Sequence, residues 1–143
     1  MNAQSPQIYS LGKWAEAQAA AHLLDAGFSL VEQNYHSRYG EIDLIVLRGQ
    51  QLLFVEVKAR ALSQYAAAVQ SIPLSKQVKI IKTAMLYLQA HPVLLEYDLR
   101  FDVICFDFYR KFAKNVQYDF SKFSYDWQWI ENAFHVDMNL INL

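Results

Sequence analysis

The sequence has 143 residues, of which 54% are hydrophobic, and a formal net charge of −1. This composition excludes a disordered segment, and the length predicts one domain that can bury a core of its own. The near balance of 13 Lys and Arg against 14 Asp and Glu argues against a generally basic nucleic-acid coat protein, so an anionic partner would need a local basic patch.

Helical and strand patterns alternate along the chain. Hydrophobic residues at three- and four-residue steps predict a first helix that ends before Gly27. Two β-rich runs around residues 48–51 predict a hairpin. The predicted elements are, in order, helix Ile8–Ala26, strand Phe28–Tyr35, strands Glu41–Leu47 and Leu52–Arg60, helix Pro73–Gln89 and strand Arg100–Phe108. This order predicts an α/β fold with helices packed on a mixed sheet.

The predicted hairpin indicates which side chains meet. A loop of two or four residues pairs Ile45 with Phe54 and Asp43 with Glu56. Because side chains alternate along a strand, one face of the hairpin is entirely apolar. That face carries Ile42, Leu44, Val46, Leu53, Val55 and Val57. At the open end of the other face we expect Glu41, Asp43, Glu56 and Lys58 to converge.

Two carboxylates on facing strands repel each other unless something compensates their charge. A hard divalent cation such as Mg²⁺ would do so, because it takes oxygen ligands and is commonly held by one or two carboxylates plus phosphate. On the same face as Asp43 and Glu56, Lys58 could orient an attacking water or neutralise charge on a phosphate. The alternative is a solvated hairpin end where Lys58 forms a surface salt bridge with Glu41.

These residues resemble the signature of a known family. The segments GEIDLI at 40–45 and FVEVKAR at 54–60 look like those of the YraN-like uncharacterised proteins, within the PD-(D/E)XK nuclease superfamily, and are similar in layout to archaeal Holliday-junction resolvases. The resemblance covers about residues 10 to 108. Further matching positions are Gly12, Glu16, Ala19, Asn34, Lys76 and Arg100–Val103.

The resemblance implies a restriction-endonuclease-like core with a central antiparallel hairpin flanked by helices. It implies that Asp43 and Glu56 hold Mg²⁺ or Mn²⁺ and that Lys58 serves the attacking water. It also implies that Glu16 adds a metal or water contact, although an exposed helical glutamate is the alternative. In the same comparison Lys76 contacts phosphate or supports the site. Resolvase-like relatives act as dimers on branched DNA, so a homodimer acting on DNA is the expectation by analogy.

Basic residues cluster in one part of the chain. No acidic residue lies between Glu56 and Glu96, and Arg38 precedes the hairpin. We predict that Arg38, Arg60, Lys76 and Lys79 contact a nucleic-acid backbone, with an affinity that falls as salt rises. A solvated helix face is the alternative for Lys76, Lys79 and Lys82.

The tail lies outside the resemblance, and we divide the chain into a nuclease-like domain, 1–114, and an extension, 115–143. In the extension Phe123, Tyr125, Trp127 and Trp129 alternate with other residues, which predicts one aromatic strand face. The extension carries Lys122 against Asp119, Asp126, Glu131 and Asp137, and this acidic balance disfavours stacking on nucleic-acid bases. We expect a strand that packs on the same domain or on a partner subunit.

Other features narrow the function class. The single cysteine allows no internal disulfide, and no apolar run has the length of a membrane span, so we expect a soluble cytoplasmic protein. The predicted function is phosphodiester hydrolysis of nucleic acid, DNA by expectation, with Mg²⁺ or Mn²⁺. The alternatives are a non-catalytic nucleic-acid-binding module and a protein-interaction domain.

Overall fold

The fold is a five-stranded mixed sheet with one α-helix on each face. The computed structural model describes residues 9–61, 72–113 and 116–135. The α-helices are α1 (Leu11–Asp25) and α2 (Leu74–Ala90), and the strands are β1 (Ser29–Ser37), β2 (Gly40–Arg48), β3 (Gln51–Arg60), β4 (Asp98–Phe108) and β5 (Tyr125–Phe134). The strands lie in sequence order, and β3 runs parallel to β4 while the other neighbours are antiparallel.

This architecture confirms the predicted α/β class and the mixed sheet flanked by helices, and it is consistent with a restriction-endonuclease-like core. Helix α1 begins where the Ser10 hydroxyl accepts the Lys13 N–H at 3.4 Å, and it ends before Gly27, whose φ is 91°. The predicted start at Ile8 lies outside the described residues. Short 3₁₀ helices cover Pro92–Glu96 and Phe120–Lys122.

Two hydrophobic layers fill the space between the sheet and the helices. The α1 layer contains Leu44, Val46, Leu53 and Val55 with Trp14 and Leu23. The α2 layer contains Ile45, Leu52 and Phe54 with Ile81 and Tyr87. Because β3 contributes to both layers with alternate residues, its backbone is buried in the middle of the sheet.

The β2–β3 hairpin has the predicted register along its apolar half. Its turn consists of Gly49 and Gln50, and Gly49 has a φ of 56°, which suits the first position of a type II′ turn. Ile45 faces Phe54, as predicted. The ladder ends at the pair formed by Leu44 and Val55, so the predicted direct pairing of Asp43 with Glu56 was wrong.

Strand β2 also departs from strict alternation at its beginning. Ile42 packs in the α2 layer, so the prediction that it shares a face with Leu44 was wrong. The change of face occurs at Asp43. Opposite it in β1 lies Asn34, whose φ of 53° is in the left-handed region, so both strands are irregular at this position.

The aromatic segment forms β5, which pairs antiparallel with β4. Tyr125 and Trp129 pack in the α1 layer, whereas Trp127 is 44% exposed and stacks on His22 with a centroid distance of 3.7 Å. Residues 136–143 lie outside the described residues, and the domain division after residue 114 stays a prediction. Over the described ranges, the model contains no helix that is both long and apolar enough to cross a membrane.

Candidate active site

Asp43 and Glu56 lie where β2 and β3 separate. Both are nearly inaccessible, with 6% and 5% of their surface exposed. The Val57 N–H donates a hydrogen bond of 2.7 Å to Asp43 Oδ2. This bond takes the place of a ladder bond at the open end of the hairpin, and it holds the Asp43 carboxyl beside the backbone that carries Glu56.

The two oxygens of Glu56 have different surroundings. Lys76 of α2 forms an ion pair with Oε1 at 3.0 Å. The other oxygen, Oε2, is buried and has no hydrogen-bond donor among the residues that the structure describes. A buried carboxylate oxygen without a donor is costly, because burial removes the water that would otherwise solvate it. Glu56 therefore offers one free ligand atom.

Burial and mutual repulsion change the protonation of this pair. Burial, and next the Glu56 carboxylate, raise the pKa of Asp43 to about 7. Burial also raises the pKa of Glu56, while the Lys76 ammonium acts in the opposite direction. Near neutral pH the pair therefore binds a proton that two exposed carboxylates would have lost. A cation that binds there replaces this proton.

Two lysines of different character flank the carboxylates. Burial, and next the ammonium of Lys76, lower the pKa of Lys58. Burial acts in the same direction on Lys76, but the Glu56 carboxylate outweighs it and raises the pKa of Lys76. Lys76 is thus a fixed cation paired with Glu56, whereas Lys58 loses its proton more easily than an ordinary lysine.

Helix α1 contributes Glu16 at the edge of the site. Burial, and next the charge of Asp43, raise the pKa of Glu16. The Asn34 side chain hydrogen-bonds the Glu16 carboxylate and favours its charged form. The structure thus brings Glu16 toward Asp43, and the alternative of a helical glutamate that faces only solvent is wrong.

Glu56 opens into a cleft between the β1–β2 turn and α2. A cavity of about 340 Å³ is lined by Glu56 and Glu41 together with Tyr39, Lys76 and Lys79. A second cavity of about 590 Å³ continues along α2 and is lined by Arg38, Tyr39, Leu74, Ser75, Val78, Lys79 and Lys82. Tyr39, Ser75 and Lys79 line both cavities. The cleft therefore continues from the buried acids into a basic groove.

The predicted basic residues occupy different places. Arg38 and Lys79 are exposed and line the groove, whereas Lys76 contacts Glu56 directly. Arg60 is half-buried at the end of β3, beyond Lys58. The alternative salt bridge from Lys58 to Glu41 is not observed among these described residues, because Glu41 pairs with His36 at 3.3 Å.

Comparison with known proteins decides the family. The family model described as "Uncharacterised protein family UPF0102" matches residues 15–106. The chain belongs to the UPF0102 family. It is 58% identical over 127 residues to a UPF0102 protein of Acinetobacter baumannii strain AYE, covering 89% of this chain and 96% of the relative. A UPF0102 protein of Stutzerimonas stutzeri is 44% identical over 95 residues, covering 66% and 79%.

This result confirms the resemblance to the YraN-like family. The UPF0102 segment includes Glu16, Asp43, Glu56, Lys58 and Lys76, of which Glu56 and Lys76 line the first cavity. Strand β5 follows the matched segment. The residues that form the cleft thus lie within the part of the chain that defines the UPF0102 family.

The donor set at the cleft fits a hard divalent cation. Glu56 Oε2 has no donor, and the Asp43 carboxyl is close enough for the two to repel. Within ranges 9–61, 72–113 and 116–135 there is no cluster of three or more His, Cys, Asp or Glu arranged to hold a metal ion. Two carboxylates suit Mg²⁺ or Mn²⁺, because such ions keep several water or phosphate ligands.

Cys105 is no candidate for the chemistry. Although it lies opposite Lys58 in the β3–β4 ladder, it is 2% exposed and packs in the α2 layer. Burial raises the pKa of its thiol to about 12, so the thiolate required of a nucleophile is not available at neutral pH.

Three residues beside the site were not assigned a role from the sequence. Asn34 supports Glu16, Tyr39 lines both cavities, and Thr83 joins the turn to α2 through a hydrogen bond with the Ser37 hydroxyl at 2.8 Å. Asn34 is one of the positions that match the YraN-like family, and a polar asparagine inside a strand pattern is a second signal for it. No sequence pattern distinguishes Tyr39 or Thr83, because their partners are distant along the chain.

Proposed function

We propose that this UPF0102 protein is a divalent-metal-dependent nuclease of the PD-(D/E)XK type that hydrolyses phosphodiester bonds. The observation that carries this proposal is the buried Asp43–Glu56 pair. Glu56 Oε2 has no donor within the described part of the chain, and Glu56 lines a cleft that continues into a basic groove. Buried like charges are expensive, and a bound cation with a phosphate ligand would offset their cost.

Each group in the cleft has a role in this proposal. The Asp43 carboxylate and Glu56 Oε2 would hold Mg²⁺ or Mn²⁺, which supplies Lewis-acid polarisation of the phosphate and a water of lowered pKa. Lys58 orients the attacking water and stabilises charge that develops on the phosphoryl oxygens. Glu16 accepts a hydrogen bond from water on the α1 side. Attack by the water oxygen forms a P–O bond as the water gives up a proton, and the P–O bond to the leaving alkoxide breaks as that oxygen takes up a proton from solvent.

Lys76 does more in this proposal than contact the phosphate backbone of the nucleic acid. It neutralises Glu56 in the absence of substrate, since its ammonium lies 3.0 Å from Oε1. A phosphate that enters the cleft offers Lys76 a second anion at the same place. Lys76 would therefore bridge Glu56 and the substrate, while Arg38, Lys79 and Arg60 contact neighbouring phosphates.

DNA is the proposed nucleic acid, and the cytoplasm is the proposed location, which the single buried cysteine suits. A homodimer remains part of the proposal by analogy with resolvase-like proteins. Each subunit would contribute one set of acidic and basic residues, and a dimer would therefore present two such sets to a branched substrate.

The decisive experiment is a cleavage assay with labelled duplex, single-stranded and branched DNA and matched RNA, in Mg²⁺, Mn²⁺ or EDTA. The proposal predicts metal-dependent cleavage that Glu56→Gln and Lys58→Ala reduce at least about 100-fold, because each removes a group that acts on the reacting phosphate. Lys122→Ala is the matched control, since Lys122 is exposed in the 3₁₀ helix before β5.

The other outcomes separate the alternatives. Salt-sensitive binding without cleavage in any metal would favour the non-catalytic nucleic-acid-binding module. Neither binding nor cleavage by folded protein would contradict the proposal and favour an interaction domain. Cleavage that survives in Glu56→Gln would indicate a contaminating nuclease.

A further inference from the structure

Tyr39 lies in the lining shared by the two cavities and is surrounded by cations. The Arg38 guanidinium carbon is 5.0 Å from the Tyr39 ring centroid, and Lys82 Nζ is 5.1 Å from it. The Arg38 guanidinium also donates a hydrogen bond of 3.1 Å to the Tyr39 hydroxyl. Proteins that hold single-stranded nucleic acid commonly place an aromatic ring, on which a base stacks, beside basic side chains that contact the phosphates.

The turn that carries Tyr39 is fixed to α2. The Tyr39 N–H donates to the Ser37 hydroxyl at 3.1 Å, and the Ser37 hydroxyl hydrogen-bonds Thr83 at 2.8 Å. Thr83 is fully buried, and its hydroxyl also donates to the Lys79 carbonyl at 2.8 Å. Gly40 follows with a φ of 147°, and a side chain there would approach Lys79. The ring is therefore presented to the groove at little cost in conformational entropy.

We infer that Tyr39 stacks one unpaired nucleotide beside the phosphate that is cleaved, so that the substrate is DNA with a single-stranded segment at the cleft. This inference rests on the proposed nuclease function and adds the substrate class. A base inside a duplex is stacked between its neighbours and cannot place its face on Tyr39. An unpaired base displaces one of the two cations from the ring, and that cation becomes free for a phosphate.

The test compares binding of a blunt DNA duplex with binding of the same duplex carrying a single-stranded tail. Fluorescence anisotropy in Ca²⁺ measures both affinities, and cleavage of both ligands in Mg²⁺ is measured in parallel. We expect the protein to bind the tailed duplex about 5- to 100-fold more tightly than the blunt one, the range expected for one stacked base.

The variants isolate the ring. Tyr39→Leu should reduce the affinity for the tailed duplex to that for the blunt duplex and leave the blunt affinity unchanged, whereas Tyr39→Phe should keep the preference. Tyr97→Leu is the matched control, because Tyr97 is also half-buried but lies before β4, at the opposite end of the sheet. Thermal unfolding of each variant verifies the fold.

Two results would overturn the inference while the nuclease function stands. One is equal binding of tailed and blunt duplex by a protein that cleaves both. The other is an equal loss of both affinities in Tyr39→Leu. A tail preference that depends on Tyr39 without cleavage in Mg²⁺ would instead support the stacking site and contradict the nuclease function. Absence of binding to both ligands would overturn both.

Discussion

Ionisation of the buried Asp43 carboxyl lowers the free energy of unfolding of this protein. Its pKa rises from 3.8 to about 7 on burial beside Glu56, so the folded protein binds the proton more tightly than the unfolded chain does. The raised pKa makes the stability of the folded protein depend on pH in one direction. The wild-type protein loses stability as pH rises from about 4 to about 7, because only the unfolded chain ionises freely in that range.

Asp43→Asn should therefore stabilise the protein at alkaline pH. Asparagine keeps an oxygen for the Val57 N–H but carries no charge. We expect a gain of about 1–4 kcal/mol in the free energy of unfolding at pH 8 and a gain near zero at pH 4. Urea denaturation at both pH values measures this difference. A gain that is equal at both would contradict the raised pKa.

Lys76 should be important for stability because it neutralises a buried charge. Lys76→Met leaves Glu56 without its ion-pair partner, and we expect a loss of about 1–2 kcal/mol at pH 8, since the half-exposed lysine position admits water. Lys79→Met, one turn further along the helix, is the control and should change stability by less than about 0.5 kcal/mol. Adding Glu56→Gln to Lys76→Met should restore stability, and failure to do so would assign the loss to packing.

At the scale of elements, the hairpin shows what sequence can and cannot predict. Alternation and a loop of two or four residues were enough to predict the Ile45–Phe54 register, because each strand residue has only two faces to choose from. The separation of β2 from β3 beyond the Leu44–Val55 pair, toward the start of β2, was not predictable. It depends on Asp43 taking a backbone N–H with its side chain, and on the left-handed backbone of Asn34 in another strand.

The same limit applies to the candidate site. Asp43, Glu56 and Lys58 could be selected because they are close along one hairpin. Lys76, the partner of Glu56, and Lys82, which lies over the Tyr39 ring, come from α2, and no local pattern specifies how a distant helix is oriented. Lys76 was therefore predicted only to contact phosphate or to support the site, and its ion pair with Glu56 became evident from the packing of α2.

The link between the β1–β2 turn and α2 gives a prediction at this scale. Thr83→Val removes the hydroxyl that hydrogen-bonds Ser37 and keeps a similar side-chain volume. We expect a loss of about 1–2 kcal/mol in stability, because the Ser37 hydroxyl loses a buried partner. We also expect weaker nucleic-acid binding, since the turn presents Arg38 and Tyr39. Urea unfolding measures the stability, and fluorescence anisotropy measures the nucleic-acid affinity. A loss of stability with unchanged affinity would contradict this account.

At the scale of the whole molecule, Asp102 joins the last strand to the sheet. It is fully buried and accepts hydrogen bonds from the Arg100 guanidinium at 2.8 and 2.9 Å, from the Trp129 indole at 2.8 Å and from the Asn132 N–H at 2.9 Å. Both β5 donors come from the extension that was predicted separately. These bonds join β5 to the sheet that carries the candidate site.

Asp102→Ala should therefore destabilise the entire chain in one transition, by about 3–5 kcal/mol, because the half-buried Arg100 guanidinium, the Trp129 indole and the Asn132 N–H all lose their acceptor. Trp129→Phe removes only one donor and should cost about 1–3 kcal/mol. Urea denaturation followed by circular dichroism and by tryptophan fluorescence tests this. If the two signals gave different unfolding midpoints, β5 would be unfolding as an independent unit, contrary to this account.

The central claim is that the buried acids of β2 and β3 bind a divalent cation. Titration of Mn²⁺ followed by electron paramagnetic resonance tests it most directly, since free and bound Mn²⁺ give different signals. We predict saturable binding by the wild-type protein and by Lys122→Ala, and its loss in Asp43→Asn and in Glu56→Gln. Absence of binding by the wild-type protein, or binding that both site variants retain, would contradict the claim.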